Sequence, residues 1–407
     1  MRSIHIAFLI TAWMLPFSAW ADTHIIEPGD GAQDALQEAL ILAERGDIIE
    51  LQAGVYPILD SLSLDIDGIT IKGAGMYETE LQFKDQVNGA EGLLITSNKV
   101  VVEDLAVLNA KGDGIKSKGS DEITFRRVRV EWTNGPDEKN GAYGLYPVES
   151  KNVLIEGSFV SGASDAGIYV GQSQHIIVRD STAQYNVAGI EIENSFYADV
   201  YNNIATHNTG GILVFDLPNL PQQGGHDVRV FNNKITTNDT PNFAPEGNIV
   251  GLVARGTGVM IMANRDVHVF NNEIGDHATV NVMVVTYPNE FDDENYNPHP
   301  RGIVIRDNQY GKAGFDPDGE VGDIISNRTG TPVPDIVWDG VTPVTEWLFG
   351  SEDADKVYIN EDVDVGFANL RMVSHTLFPW SVSVDRYSAD YKGELAEPKA
   401  VTLSQEQ

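Results

Sequence analysis

The chain repeats itself every 22 or 23 residues. The pairs Gly167-Ile168, Gly189-Ile190 and Gly211-Ile212 are each 22 apart, and Ile155, Val178 and Val200 follow at intervals of 23 and 22. Upstream, Val102 and Phe125 are 23 apart, and Gly114-Ile115 and Gly144-Leu145 fall in the same column. Downstream, Val230 and Val269 continue the pattern with Gly258-Val259 between them. Each unit holds two or three short apolar strands punctuated by Asn, Gly, Ser and Asp. At about 3.3 Å per strand residue, one unit is too short for a propeller blade and fits one turn of a strand coil. The leucine spacing of a leucine-rich repeat is missing. The period therefore predicts an all-β chain, a single-stranded right-handed parallel β-helix of roughly ten turns.

Alternation within the Gly-Ile strands assigns their faces. Ile168, Val170, Ile190, Ile192, Ile212 and Val214 point inward. Tyr169, Glu191, Glu193, Leu213 and Phe215 point outward, in columns that also hold Lys116 and Lys118, then Tyr146 and Val148. Ser120, Ser150, Ser173 and Ser195 form a column in which stacked hydroxyls can bond one another. Asn202-Asn203, Asn232-Asn233 and Asn271-Asn272 recur at one turn position and read as turn formers and an asparagine ladder. His207, His226, His268 and His277 match no zinc spacing and are expected to be surface or satisfied histidines.

A solenoid needs covered ends. Residues 31–45 carry Ala and Leu at helical spacing before Gly46, which predicts a capping helix that Gly46 terminates and that leads into a strand at 47–51. The expected organisation is a signal peptide over 1–21, the β-helix with its N-terminal cap over 22–315, a C-terminal cap region over 316–385, and a disordered polar tail over 386–407. Beyond about 312 the repeat fades, and Trp338, Trp347, Phe349 and the 370–382 stretch suggest the second cap. Insertions at 132–142, 217–226, 237–255 and 288–300 interrupt the rhythm and should form loops on one flank, where solenoids often bind.

Export is expected from the N-terminus. Arg2 precedes the apolar run 7–15, and Ala19-Trp20-Ala21 is a cleavage site of the small-x-small kind, so cleavage after Ala21 into the periplasm or medium is predicted. No other stretch is apolar enough to span a bilayer. With 60 acidic and 27 basic residues the formal charge is −33, which excludes nucleic acid as a partner of the whole chain. No cysteine is present, so disulfides and thiolate metal sites are excluded.

The cap and turn pattern resemble the pectin-lyase-like right-handed parallel β-helix superfamily over roughly residues 27–315. Within it, Tyr143-Gly144-Leu145-Tyr146-Pro147-Val148-Glu149 is similar to the Tyr-Gly-Phe-Asp-Pro-His-Glu motif of the mannuronan C5-epimerase and alginate-modifying branch. Lys111-Gly112-Asp113-Gly114 is similar to that branch's Lys-x-Asp-Gly. The chain also resembles bacterial parallel β-helix repeat proteins of unsettled function. In the epimerases the motif histidine and tyrosine move the C5 proton and the aspartate belongs to the active site. Here Val148 replaces the histidine and Tyr146 the aspartate, so the resemblance implies a scaffold with a degenerate catalytic motif.

Proton abstraction beside a uronate carboxylate needs a base, an acid and a cation or donor for the enolate. Lys111, Asp113 and Tyr143 are the candidate catalytic residues, with Tyr143 able to act if neighbouring lysines lower its pKa. Lys116, Lys118, Tyr146, Tyr169, Glu191 and Glu193 are the candidate substrate-binding residues. Lys111, Lys116, Tyr143, Tyr146 and Tyr169 are expected to share one groove bounded by the 132–142 loop. No cofactor or metal is called for, although Asp165, Glu191, Glu193 and Asp216 offer oxygen ligands suited to Ca²⁺. Two functions follow from the residues. One is lyase- or epimerase-like action on an acidic polysaccharide. The other is a non-catalytic exported module binding a glycan or a partner protein. Ordinary mannuronan epimerisation is not expected, because Val148 carries no proton.

Overall fold

The computed structural model describes residues 21–377, 380 and 383–406. The signal-peptide assignment rests almost wholly on residues outside that range. Each turn of the coil contributes three parallel strands. In one turn these are 166–171, 174–179 and 182–184; in the next, 188–193, 196–201 and 204–206. The first strand of every turn belongs to an eleven-stranded parallel sheet, called the front sheet here. The other two belong to a continuous twenty-stranded sheet that wraps the remaining sides. The fold is the all-β right-handed parallel β-helix that the period predicts.

Register explains the period. Ile190 pairs with Ile168 on one side and Ile212 on the other, and all three are fully buried. The glycine before each of these isoleucines is a steric requirement. A Cβ at Gly189 would stand 2.6 Å from the carbonyl oxygen of Gly211 in the next turn, closer than non-bonded atoms approach. Two of the three corners are tied by amide ladders. Asn203 donates to Asn233, Asn233 to Asn272 and Asn272 to Asn308, side chain to side chain down the coil at 2.9–3.1 Å. Asn202, Asn232 and Asn271 beside them take left-handed backbone, so each Asn-Asn pair divides turn-forming from ladder-forming work. A second ladder, Asn186–Asn208–Asn238, was not legible in the sequence; it ends on Nε2 of the buried His277. Burial lowers the pKa of His277 to about 4, and Asn281 accepts from its other nitrogen. The serine column is aligned as expected, but its bonds differ. The hydroxyl of Ser173 accepts from the amide of Ser150, and that of Ser195 from the amide of Ser173, while each donates within its own turn. A hydroxyl reaches the free amide at the bend more easily than another hydroxyl one turn away.

Three boundaries differ from expectation. The capping helix runs Ala32–Leu42 and ends at Ala43, short of Gly46, because the chain must already turn toward the strand Ile48–Leu51. The coil does not end near 315. Ile336–Trp338 and Phe367–Asn369 extend the front sheet, and Val357–Asn360 extends the second sheet. Helices Gly319–Thr329, ahead of the first of these strands, and Val344–Phe349, between the first and second in sequence, hide the period. The polar tail is also packed. Leu403 is fully buried against Leu154 and Ile177. Glu397 bonds Arg229 and Arg306, and Glu406 bonds Arg179.

Candidate functional site

The outer face of the front sheet carries two adjacent columns, and their chemistry changes along the coil. One runs Lys116, Tyr146, Tyr169, Glu191, Leu213, Met260, Met283. The other runs Lys118, Val148, Gly171, Glu193, Phe215, Met262, Val285. The first half is cationic, then aromatic, then acidic; the second is apolar.

A groove of about 400 Å³ lies over the first half. Its floor is a trio of tyrosines. The ring centres of Tyr143 and Tyr146 are 4.5 Å apart, those of Tyr143 and Tyr169 4.4 Å, and those of Tyr146 and Tyr169 5.0 Å. Lys116 Nζ sits 4.7 Å above the Tyr146 ring. It also lies 3.7 Å from Asp113 and 3.8 Å from Glu91, so much of its charge is matched within the protein. Lys118, more exposed, lies 3.6 Å from Glu149.

Carboxyl groups close the other end. Tyr169 donates to Glu193 Oε1 at 2.6 Å. Tyr143 donates to Asp165 Oδ2 at 3.4 Å, and Asn248 donates to the same oxygen at 3.0 Å. Burial is the largest cause of shift in this cluster and pushes Asp165 and Glu193 up to about 7 and Asp113 up to about 6. The donors from Asn248, Tyr143 and Tyr169 oppose that rise, while neighbouring carboxylates add to it. Glu191 is the extreme case. It is 1% exposed, neither of its oxygens has a hydrogen-bond partner among the described residues, and burial then Asp165 and Glu193 hold its pKa well above the carboxylate range. The site thus presents carboxyls that exchange protons near neutral pH, beside phenols that donate to them.

Several sequence expectations change here. Tyr143, Tyr146, Tyr169, Lys116 and Lys118 all line the groove. Lys111 does not. It sits in the exposed turn before the strand, with its amide bonded to Gln86. Glu191 is buried beneath the face and does not reach the groove, because the turn at 249–253 packs over that part of the sheet. The Tyr143 pKa moves up, opposite to the shift a base needs, since desolvation and the charges of Asp165, Glu191 and Glu193 all favour the neutral phenol. The 132–142 loop contributes Ala142, but the walls come mainly from Leu217, Leu220, Asn248 and Ile249 of the later insertions. Asp216 accepts from the amides of Gly224 and Gly225, anchoring the 217–226 insertion, and its charge adds to the rise at Glu193. No group of three or more His, Asp and Glu side chains among the described residues is arranged to hold a metal ion. No helix among them is long and apolar enough to cross a membrane.

Comparison with known proteins agrees with this architecture. The family profile "Right handed beta helix region" matches residues 67–221. No curated protein sequence matches the chain. Among solved structures, the A-module of the mannuronan C-5 epimerase AlgE4 of Azotobacter vinelandii superposes with a TM-score of 0.53 and 17% identity, covering 85% of this chain and 93% of that one. The A-module of the AlgE6 epimerase of the same organism gives 0.50 and 16%, covering 81% and 89%. The DFA-IIIase of Arthrobacter chlorophenolicus A6 gives 0.53 and 12%, covering 83% and 98%. At these identities the likeness is one of fold. The period, the strand register and these superpositions together give the chain the fold of a right-handed parallel β-helix.

Proposed function

We propose that this protein is exported and acts on a glycan bound along the polar half of the front sheet. The observation that carries the proposal is the tyrosine trio set between Lys116 and the carboxyls of Asp165 and Glu193 in one open groove. Aromatic faces pack on the C–H faces of sugar rings, while flanking charged groups fix orientation. Export rests on the N-terminal sequence. The superposed structures named above, two epimerases of mannuronan among them, support a glycan as ligand by analogy of fold.

The chemistry favoured by the geometry is proton transfer at an acidic sugar. A carboxylate titrating near neutrality, Asp165, is the base, and the neutral phenol of Tyr143, bonded to it, is the nearby donor. Lys116 and Lys118 face the sugar carboxylate. A second role, binding without turnover, is favoured by one feature: Lys116 is already paired with Asp113 and Glu91. Incubation with polymannuronate, polyguluronate and polygalacturonate separates the two. Growth of ultraviolet absorbance from unsaturated ends indicates a lyase, deuterium uptake at C5 in D₂O indicates an epimerase, and saturable binding without either indicates a module. No binding of any glycan, acidic or neutral, would sink the proposal. Steady guluronate formation from polymannuronate would show that Val148 and Tyr146 do not abolish epimerisation.

A further inference from the structure

The apolar half of the same face is not closed. A pocket of about 540 Å³ lies over Phe215, Met260, Met262 and Met283, between the turn Ile249–Leu252 and the helix Gly319–Thr329. Its size falls in the range of small-molecule sites. Four of the seven methionines of the chain line it: Met260, Met262, Met283 and Met372. Unbranched thioethers adapt to apolar ligands of variable shape. Leu252 and Ile324 on opposite rims are 41% and 42% exposed, so the pocket communicates with solvent.

Two further facts narrow the occupant. The pocket and the groove adjoin. Ile249 lines both, and Glu193 at the end of the groove is the register partner of Phe215 at the start of the pocket. Among the described residues no Lys, Arg or His lines the pocket, while Glu320 and Asp339 do, so a fatty-acid carboxylate finds no cationic partner there. Cationic recognition of an acidic head group must come from the groove, which Lys116 and Lys118 line. We infer that the pocket takes the apolar chain of an amphiphilic glycoconjugate whose sugar end lies on the tyrosine trio. This rests on the glycan reading above.

Calorimetry with three submicellar probes tests it: methyl glucuronide, octyl glucuronide and octanoate. The octyl glycoside should bind about tenfold or more tighter than the methyl glycoside, since burying even part of the chain contributes that much. Octanoate should not bind measurably. Ile324→Asp, a change at an exposed rim position, should erase the octyl advantage while leaving methyl glucuronide binding unchanged, and Leu252→Asp on the other rim should do the same. Equal affinity of the two glycosides would overturn the inference and leave the groove reading intact. Binding of octanoate with neither glycoside bound would overturn both. Unchanged octyl affinity in both rim variants, or no binding of any probe, would also overturn it.

Discussion

The two halves of the front sheet share one core and one backbone register yet present opposite surfaces. Below both, the same Ile and Val columns are fully buried. Above, residues 116–193 present lysine, tyrosine and carboxylate, and residues 213–285 present leucine, phenylalanine and methionine. The transition occurs in one step, where Glu191 pairs with Leu213 and Glu193 with Phe215. Outward positions of a β-helix are therefore free to vary turn by turn, because the stacking is set by the inward positions and the glycine bends. Function can be written on the outer face without altering the fold, and the strain of doing so appears at the step, as the unpartnered carboxyl of Glu191.

The largest expected effect concerns what the halves share. Ile190→Asp places a charge in the interior with Ile168 and Ile212 on either side, and should cost several kcal/mol, enough to threaten folding. Melting that matches the parent would mean the register is wrong by one residue.

Next is the step itself. Asp165, Glu191 and Glu193 all have folded pKa values above their unfolded ones. The native state then holds protons that the unfolded state releases, so the contribution of these three groups to stability is full below about pH 4 and falls as pH rises toward and through 7. Each such group contributes up to about 1.4 kcal/mol per pH unit inside that window. Glu191→Leu extends the apolar half by one turn and should raise the melting temperature at pH 8 more than at pH 5. An increase that is the same at both pH values would show that Glu191 is not held protonated.

A smaller effect is expected at Tyr169→Phe, which removes the donor to Glu193 Oε1 in a buried setting. A loss of about 1–3 kcal/mol is expected, larger at high pH where the carboxylate is left without its donor. Thermal melts at two pH values check it, and a pH-independent loss would contradict the bond. The smallest effect is at Lys116→Ala. Because Asp113 and Glu91 already share its charge, affinity for an acidic oligosaccharide should fall only a few-fold, and the loss should shrink at high salt. Unchanged affinity would remove the lysine from the site.

The same contrast explains what was legible in the sequence. Inward residues repeat, so Ile168, Ile190 and Ile212 could be aligned by counting, and the glycine column placed Tyr146 beside Lys116 and Tyr169. Groups brought by insertions could not be indexed this way. Asn248, Leu217 and Ile249 belong to segments with no period, and so does the helix that walls the apolar pocket. Direction of charge was also hidden. Lysines near Tyr143 suggested a lowered pKa, whereas the carboxyls that raise it lie one and two turns later. The tail looked disordered because its composition is polar, but its glutamates meet arginines distributed over several turns of the second sheet.

A structure of the protein with an acidic tetrasaccharide tests the central claim most directly. The account predicts sugar rings packed on Tyr143, Tyr146 and Tyr169, an acidic group toward Lys116 and Lys118, and Asp165 within reach of a ring carbon. A saccharide bound on the second sheet or along the tail, with the tyrosine trio bare, would contradict it.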